Sequence, residues 1–353
     1  MTVERTRVIV DDDPAGDWTA PGVYRCAPGV YRIPLPLPND GLRAVNVYAL
    51  ADGGGLTLVD AGWALAQSRE VLSTALAGLG AGLVDVRRFL VTHIHRDHYT
   101  QAVVLRREFG MRVALGRGEQ PGLEALRRTR PGQRHHREQL LGLGAHELVR
   151  ELERHVPPPV EPAEYEFPDD WIDDGARILV GEGTPDQREL EAVATPGHTR
   201  GHVVFADPAG ELLFAGDHVL PRITPSLGLE PAPAASPLAD FLTSLELMRS
   251  RPDAVLLPAH GATGMRVHQR VDELVAHHAK RLDTTLAAVQ DGRSTAFEVA
   301  GALLWTRRDT PFGELDLFNR MLATIETGAH LEVLAEREVV TAEDRDGIRH
   351  YTS

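Results

Sequence analysis

The most constraining feature of the sequence is the stretch VTHIHRDHYT at residues 91–100, which places three histidines and one aspartate within six positions. An apolar stretch typical of a buried strand, VRRFLVT, leads directly into it. His93 and His95 are two residues apart, and alternate residues of an extended backbone face the same side, so both imidazoles can reach one metal ion. Asp97 and His98 lie where the chain turns into a helix, and they offer a second metal position. The spacing therefore predicts metal binding, with a polar loop at a strand end as the alternative.

The first third of the chain alternates between strand-like and helix-like stretches. Residues 23–60 show the alternation of strands, and the turn ADGGG before the last of them is a good hairpin signal. A helical pattern covers 64–79, and a second helix is predicted to begin near Asp97 and to stop at Gly110. A short strand, MRVALG, follows. This order of elements indicates an α/β fold.

The character of the sequence changes between residues 121 and 170, where a basic run, an amphipathic helical pattern and a proline-rich connector follow one another. We predict that this segment is a mostly helical cap inserted into the main fold. Strands resume after it, and helical patterns follow up to a terminal β-hairpin that turns at Asp346–Gly347. Helices followed by a hairpin are winged-helix-like. We therefore predict a main domain at 20–265 and a small helical, winged-helix-like C-terminal domain at 266–353.

Four further polar residues each follow an apolar strand and stand in a turn. Asp60 lies in LTLVDAG, His198 in ATPGHT, and Asp217 in LFAGDHV. His260 lies in LLPAHG. Connecting loops at strand ends are where a rigid scaffold presents its chemical groups. These residues are therefore candidates for the same site as the histidine cluster.

Taken together, these residues resemble the metallo-β-lactamase superfamily, whose five signature elements occur here in order over about residues 20–265. The resemblance implies an αββα sandwich with two divalent metal ions at one edge. It also implies the ligands of the first metal, which are His93, His95 and His198. The implied ligands of the second metal are Asp97, His98 and His260. Asp217 would bridge the two metals, and Asp60 would orient the ligands through hydrogen bonds. Zinc is the favoured metal, although iron or manganese could occupy the same ligands.

The resemblance implies a hydrolase in which a metal-bridging hydroxide attacks an ester, thioester or lactone carbonyl. It points to glyoxalase II-like or lactamase-β-like relatives with a winged-helix-like tail. The candidate catalytic residues are Asp97, Asp217, Asp60 and His218. His218 follows Asp217 and could line the pocket or protonate a leaving group, but a residue that supports the ligands or belongs to the strand is slightly preferred. His202 also flanks a ligand motif and is equally ambiguous. Tyr99, beside His98, could lie at the rim of the pocket or pack under the insertion.

Two other functions remain open from the sequence. A phosphodiesterase or endoribonuclease could use the same metal site, but the net charge of -14, from 51 acidic and 37 basic residues, weakens that reading because phosphate backbones need clustered bases. A metal-bound regulator with a DNA-binding tail would need an arginine-rich recognition helix. The candidate helix DLFNRMLATIETGAH offers only Arg320, so this reading is disfavoured.

The insertion offers two features that bear on the substrate. Its basic run could meet the phosphates of a coenzyme A thioester or a nucleotide, although a solvated helix face is the favoured reading. The arginines of this run are Arg127, Arg128, Arg130, Arg134 and Arg137. The apolar positions Leu140, Leu141, Leu143 and Leu148 would suit a partly hydrophobic substrate or a helix core. The histidines of the insertion are expected to be bystanders, and these are His135, His136, His146 and His155.

The expected environment is the cytoplasm. Cys26 is the only cysteine, which excludes an intramolecular disulfide and fits a reducing compartment. The first residues contain no apolar signal core, and no run approaches the roughly 20 apolar residues that span a bilayer. We therefore expect a small-molecule partner, no membrane and no nucleic acid, and a homodimer is compatible with these features.

Overall fold

A computed structural model of the chain describes residues 9–38, 41–128, 133–155 and 164–353. The strands of the first half are β1 (Ile9–Asp11), β2 (Val23–Ala27), β3 (Val30–Pro36), β4 (Ala44–Asp52), β5 (Gly55–Val59), β6 (Val86–Val91), β7 (Arg112–Gly116) and β8 (Asp170–Ile172). The remaining strands are β9 (Arg177–Val180), β10 (Arg188–Ala194), β11 (Val203–Asp207), β12 (Leu212–Gly216), β13 (Val255–Pro258), β14 (Leu304–Trp305), β15 (Thr310–Pro311), β16 (Thr341–Arg345) and β17 (Ile348–Thr352). The α-helices are α1 (Ala66–Gly78), α2 (Arg96–Phe109), α3 (Gln120–Arg128), α4 (Gln133–Gly142), α5 (His146–Arg154), α6 (Pro237–Ser250), α7 (Val267–Gln290), α8 (Ala296–Ala302) and α9 (Leu317–Glu336).

The first sheet has eight strands that follow one another in chain order from β1 to β8. Its hairpin between β4 and β5 turns where ADGGG predicted it, with Asp52 opposite Gly55. From β5 to β8 the strands are parallel, so their carboxyl ends meet at one edge. Asp60 follows β5 at this edge and His93 follows β6. The sheet therefore brings two of the predicted site residues close together.

The second sheet has five strands in the order β13-β12-β11-β10-β9. Its strands are antiparallel except for the parallel pair of β12 and β13. His198 lies in the turn between β10 and β11, Asp217 follows β12, and His260 follows β13. The second sheet thus supplies the other three predicted strand-end residues.

The two sheets pack face to face and are covered by helices on their outer faces. One apolar cluster lies between the sheets and includes Leu50 of β4 and Phe214 of β12. A second joins the outer face of the first sheet to α1 and α2, for example through Leu72. A third joins the outer face of the second sheet to α6 through Phe241. These layers confirm the predicted αββα sandwich.

Two helices of the insertion, α4 and α5, pack against α9. Leu140 and Leu148 are buried in one cluster with Met321 and Ile325. Leu141 and Leu143 pack against the same cluster while partly buried. The apolar face of the insertion is therefore helix core, and it gives no indication of a hydrophobic substrate.

The arginines of the basic run in the insertion contact other side chains on the protein surface. Arg127 lies 4.5 Å from the ring centroid of Phe167, and Arg128 and Arg137 are paired with Glu124 and Glu153. Arg130 lies outside the described residues, as do the side chains of Arg134 and His135. Of the other histidines here, His146 and His155 are exposed and His136 is partly buried. These contacts fit the favoured reading of a solvated helix face.

The last part of the chain contains the predicted helices and the terminal hairpin. Leu274 of α7 and Leu334 of α9 belong to the same apolar cluster as Phe241. Residues 267–352 therefore pack directly on the sandwich. The boundary at residue 265 and the winged-helix likeness remain predictions. Within the part of the chain that the structure describes, no helix is both long and apolar enough to cross a membrane.

Candidate metal centre

The predicted site residues converge at the edge where the strands of both sheets end. They form three groups, and within each group one ligand atom from every residue lies within 4.8 Å of the others. The groups are His93, His95 and His198; His93, His98 and Asp217; and Asp97, His98 and His260. All of these side chains are buried except His95 and Asp97, which are partly exposed. The cluster is therefore open to solvent on the side of His95 and Asp97.

The carboxylate of Asp217 lies between two sets of imidazoles. Its Oδ2 is 3.4 Å from Nε2 of His198. Its Oδ1 is 3.4 Å from Nε2 of His260 and 3.7 Å from Nε2 of His98. On the far side, Oδ2 of Asp97 is 3.4 Å from Nε2 of His260. The two oxygens of one carboxylate thus face two separate groups.

Backbone carbonyls turn two of the histidines toward the centre of the cluster. Nδ1 of His198 donates to the carbonyl oxygen of Ser226 at 2.7 Å. Nδ1 of His260 donates to that of Ala44, also at 2.7 Å. A proton on Nδ1 leaves the lone pair on Nε2, which is the nitrogen that faces the other candidate ligands. Nδ1 of His95 lies 3.0 Å from Nε2 of His198, so the first group is compact.

Asp60 holds the base of the cluster in place from a strained backbone position. Its φ of 59° lies in the left-handed region, which is uncommon for a residue with a side chain. Its carboxylate accepts the backbone N–H of Thr92 at 2.9 Å and the Thr92 hydroxyl at 3.0 Å. It also accepts Nδ1–H of His98 at 2.9 Å. Asp60 therefore fixes both the residue before His93 and the orientation of the His98 ring.

The donor set fits a divalent metal. Nε2 of His93, of His95 and of His98 is buried and has no hydrogen-bond partner among the described residues. Buried polar atoms without partners are rare because they lose their hydration without compensation. Imidazole and carboxylate ligands suit zinc, iron and manganese alike. The residues present can therefore hold metal, and the fold of this site implies divalent ions without specifying their identity or number.

The charges within the cluster favour a cation. The pKa of Asp217 is held well below its usual range because nearby His260 and His98 outweigh the effect of burial, which acts to raise it. Burial acts to lower the pKa of His98, but the charges of Asp60, Asp97 and Asp217 raise it to about 9. By contrast, burial and the charge of His198 lower the pKa of His95 to about 3. The Asp217 carboxylate is thus ionised and stabilises positive charge at the centre.

His202 has a supporting role that its position in the sequence did not reveal. Its Nε2 accepts the backbone N–H of Asp217 at 3.1 Å, so Nδ1 carries the proton and donates to the Thr195 hydroxyl at 2.9 Å. A Cβ atom on Gly216 would lie 2.7 Å from that Nε2, so only glycine leaves room for the contact. His202 therefore ties the turn that carries His198 to the loop that carries Asp217. No spacing motif marks it, which is why the sequence left it ambiguous.

His218 and Tyr99 are packed inside the protein. His218 is completely buried, with its ring centroid 5.3 Å from that of Phe241 and 6.1 Å from that of His202. Its part in protonating a leaving group remains a prediction, and this packing does not support it. Tyr99 is also completely buried and donates its hydroxyl to the carbonyl oxygen of Glu166 at 2.6 Å. This is the packing role that the sequence left open for Tyr99.

The chain is similar to known proteins over most of its length. A family model described as the metallo-beta-lactamase superfamily matches residues 40–260. A probable metallo-hydrolase, YqjP of Bacillus subtilis, is 26% identical over 88% of this chain and 93% of the relative. An atrochrysone carboxyl ACP thioesterase of Aspergillus fumigatus is 24% identical over 77% of this chain but only 49% of the relative. The crystal structure of a metallo-beta-lactamase family protein from Thermus thermophilus is 31% identical, with a TM-score of 0.69 over 93% of this chain and 99% of that one. The chain is therefore a metal-dependent hydrolase that belongs to the metallo-beta-lactamase superfamily.

Proposed function

We propose that the chain binds two divalent metal ions, with zinc favoured, and hydrolyses a thioester or a related ester or lactone. The observation that carries this proposal is the position of the Asp217 carboxylate. Its two oxygens face different imidazole groups, His198 on one side and His98 with His260 on the other. A carboxylate placed in this way can bridge two metals that act on one scissile group.

In this proposal each metal position has its own ligands from the chain. His93, His95 and His198 hold the first position. Asp97, His98 and His260 hold the second, and Asp217 is shared. When bound, divalent metal ions supply Lewis-acid activation of water and of the scissile carbonyl.

The chain itself orients the ligands and handles the proton. Asp60, by accepting Nδ1–H of His98, directs Nε2 of that ring at the second position, where a metal ion would take the place of a proton. Asp97 lies on the open side of the cluster, where its carboxylate can accept the proton of the attacking water. A substrate reaching the cluster therefore meets His95 and Asp97 first.

The substrate class rests on the chemistry of an acyl carbonyl. One relative is named as a thioesterase, and it matches 77% of this chain, which includes the whole cluster. Thioesters, esters and lactones share the carbonyl that water attacks, and they differ in the leaving group. Thioesters are therefore the first substrates to test.

The test combines metal content with a substrate panel of acyl thioesters, aryl esters, lactones and a phosphodiester. Wild-type protein should bind about two metal equivalents and cleave the acyl substrates. Asp217→Asn should lose metal and at least ~100-fold in activity, since removing a partner outside the ligand shell already costs about 10–100-fold. Asp346→Asn, in the exposed turn of the terminal hairpin, is the matched control. Full metal occupancy in Asp217→Asn would contradict the ligand assignment, and cleavage of the phosphodiester alone would favour the nuclease alternative.

A further inference from the structure

One buried carboxyl group near the cluster has no place in the mechanism above. Glu119 lies in the 3-10 turn Arg117–Glu119 that follows β7, and it is completely buried. Its Oε1 accepts a short hydrogen bond from the hydroxyl of Thr199. The backbone N–H of Ile94 faces the same carboxyl group and acts to lower its pKa, and Oε2 is buried without a hydrogen-bond partner among the described residues. A single side chain therefore lies against two separate loops.

Both contacts lie next to candidate metal ligands. Ile94 is the residue between His93 and His95, and Thr199 follows His198 directly. These three histidines form the first of the groups that could hold a metal. The carboxyl of Glu119 thus links the loop after β6 to the turn between β10 and β11. It does so without being a member of any ligand group itself.

Close backbone packing keeps this link short. A Cβ atom on Gly201 would lie 2.0 Å from the backbone nitrogen of Glu119, and one on Gly118 would lie 2.7 Å from Cα of Gly201. Two glycines therefore let the turn that carries His198 lie directly against the turn that carries Glu119.

The protonation state of Glu119 indicates what kind of contact it makes. Burial raises the pKa of Glu119 to about 8, with Glu230 adding to the effect and Thr199 and Ile94 opposing it. At neutral pH the carboxyl is therefore mostly uncharged. An uncharged acid acts on its neighbours through hydrogen bonds, and a glutamine side chain of the same shape can imitate it.

We propose that Glu119 is a positioning residue that holds the His93–His95 pair and His198 at the separation that the first metal position requires. This inference rests on the proposed function, because it takes the cluster to be a metal site. Partners that orient metal ligands typically contribute about 10–100-fold to metal affinity. Glu119 orients the backbone that carries the ligands, rather than the rings themselves.

The test measures zinc affinity by competition with a chromophoric chelator and records the visible absorption of the cobalt-substituted protein. Glu119→Leu should lower affinity by about 10-fold or more and alter the cobalt spectrum. Glu119→Gln, which keeps the carbonyl oxygen, should stay within about twofold of wild type. Thr199→Val should also lower zinc affinity. Combined with Glu119→Leu, it should cause little further loss, because both substitutions remove the same hydrogen bond. Glu326→Leu is the matched control and should keep wild-type zinc affinity. Glu326 lies on helix α9, and burial raises the pKa of its carboxyl group too.

The possible results separate the two proposals. Wild-type zinc affinity in Glu119→Leu, or in Thr199→Val if the first variant does not fold, would overturn the role of Glu119. Equal losses of zinc affinity in Glu119→Leu and Glu119→Gln would overturn it as well, because the loss would then not depend on the hydrogen bond that only Glu119→Gln keeps. A wild-type chain that binds no divalent metal would instead overturn the proposed function. Thermal unfolding of the metal-free variants shows whether a loss of affinity is separate from a loss of stability.

Discussion

Asp60 shows how much of the cluster depends on one residue that does not face its centre. Its carboxylate accepts two hydrogen bonds from Thr92 and one from His98 while its own backbone is in the left-handed region. Asp60→Asn keeps the shape but places an amide group where the carboxylate accepts hydrogen bonds. We expect metal affinity to fall by about 10–100-fold, because the His98 ring loses its fixed tautomer and orientation.

The measurement is metal affinity at equilibrium, with Asp52→Asn as the control. Asp52 is also a buried aspartate that accepts a threonine hydroxyl, from Thr57, and a backbone N–H, from Gly181. It is not a member of any of the candidate ligand groups. Its variant should therefore lose stability but keep metal affinity. Equal metal affinities in the two variants would show that Asp60 has only a structural role.

Residues that belong to a spacing pattern could be predicted from the sequence, and residues outside such patterns could not. The cluster at 93–98 and the four strand-end residues are found together in space because strand periodicity and strand ends are local properties. His202 and Glu119 are different. Their contacts depend on which loops meet across the two sheets, and no local pattern encodes that.

At the scale of elements, helix α7 anchors the loop that follows Asp217. Arg270 is buried and donates to the carbonyl oxygens of Leu220 at 2.5 Å and Ile223 at 3.0 Å. Arg270→Ala removes both hydrogen bonds, and its contact with Glu273 at 2.8 Å is lost as well. We expect the free energy of unfolding to fall by about 2 kcal/mol or more, because hydrogen bonds to charged groups contribute about 1.5–3 kcal/mol each. Metal affinity should fall too, because the loop starts at a candidate bridging ligand.

Urea unfolding and metal titration check this prediction against Arg249→Ala. Arg249 lies on α6, is half exposed, and pairs with Asp272 at 2.9 Å. Such surface pairs contribute about 0–1 kcal/mol, so this variant should remain close to wild type. If the two arginine variants behave alike, α7 does not anchor the loop.

The elements themselves were largely predictable where one pattern runs uninterrupted. The helix expected at 64–79 is observed at Ala66–Gly78, and the one expected to stop at Gly110 ends at Phe109 with Gly110 in the left-handed region. Strand β8 was missed. It has three residues and adds to the first sheet only by pairing with β7 across the whole insertion. A pairing that distant leaves no trace in local periodicity.

At the scale of the whole molecule, the helices after residue 266 are held to the sandwich by a core that contains buried histidines. His278 of α7 and His330 of α9 are joined by a hydrogen bond of 3.2 Å between their ring nitrogens. His330 also donates Nδ1–H to the carbonyl oxygen of Glu326 at 2.8 Å. Burial is the main cause that lowers the pKa of His278, and the charges of His330, His277 and Arg281 act in the same direction. This packing keeps both rings uncharged.

These two histidines should make stability depend on pH. Burial lowers the pKa of His278 to about 2 and that of His330 to about 4, from an ordinary value of 6.5. Below pH 6.5 the unfolded chain binds protons at these rings and the folded chain does not. The stability that the two rings contribute is therefore fully present above pH 6.5 and is lost as the pH falls, down to about 4 for His330 and about 2 for His278. At pH 5 each ring is expected to lower the free energy of unfolding by about 2 kcal/mol, at about 1.4 kcal/mol per pH unit.

The measurement is urea unfolding of the metal-free protein at pH 7 and at pH 5. It compares wild type with the His278→Leu/His330→Leu variant, and His155→Gln, at an exposed position, is the control. The double variant should lose distinctly less stability between the two pH values than wild type or the control, and an equal loss in all three would place the acid sensitivity elsewhere in the molecule.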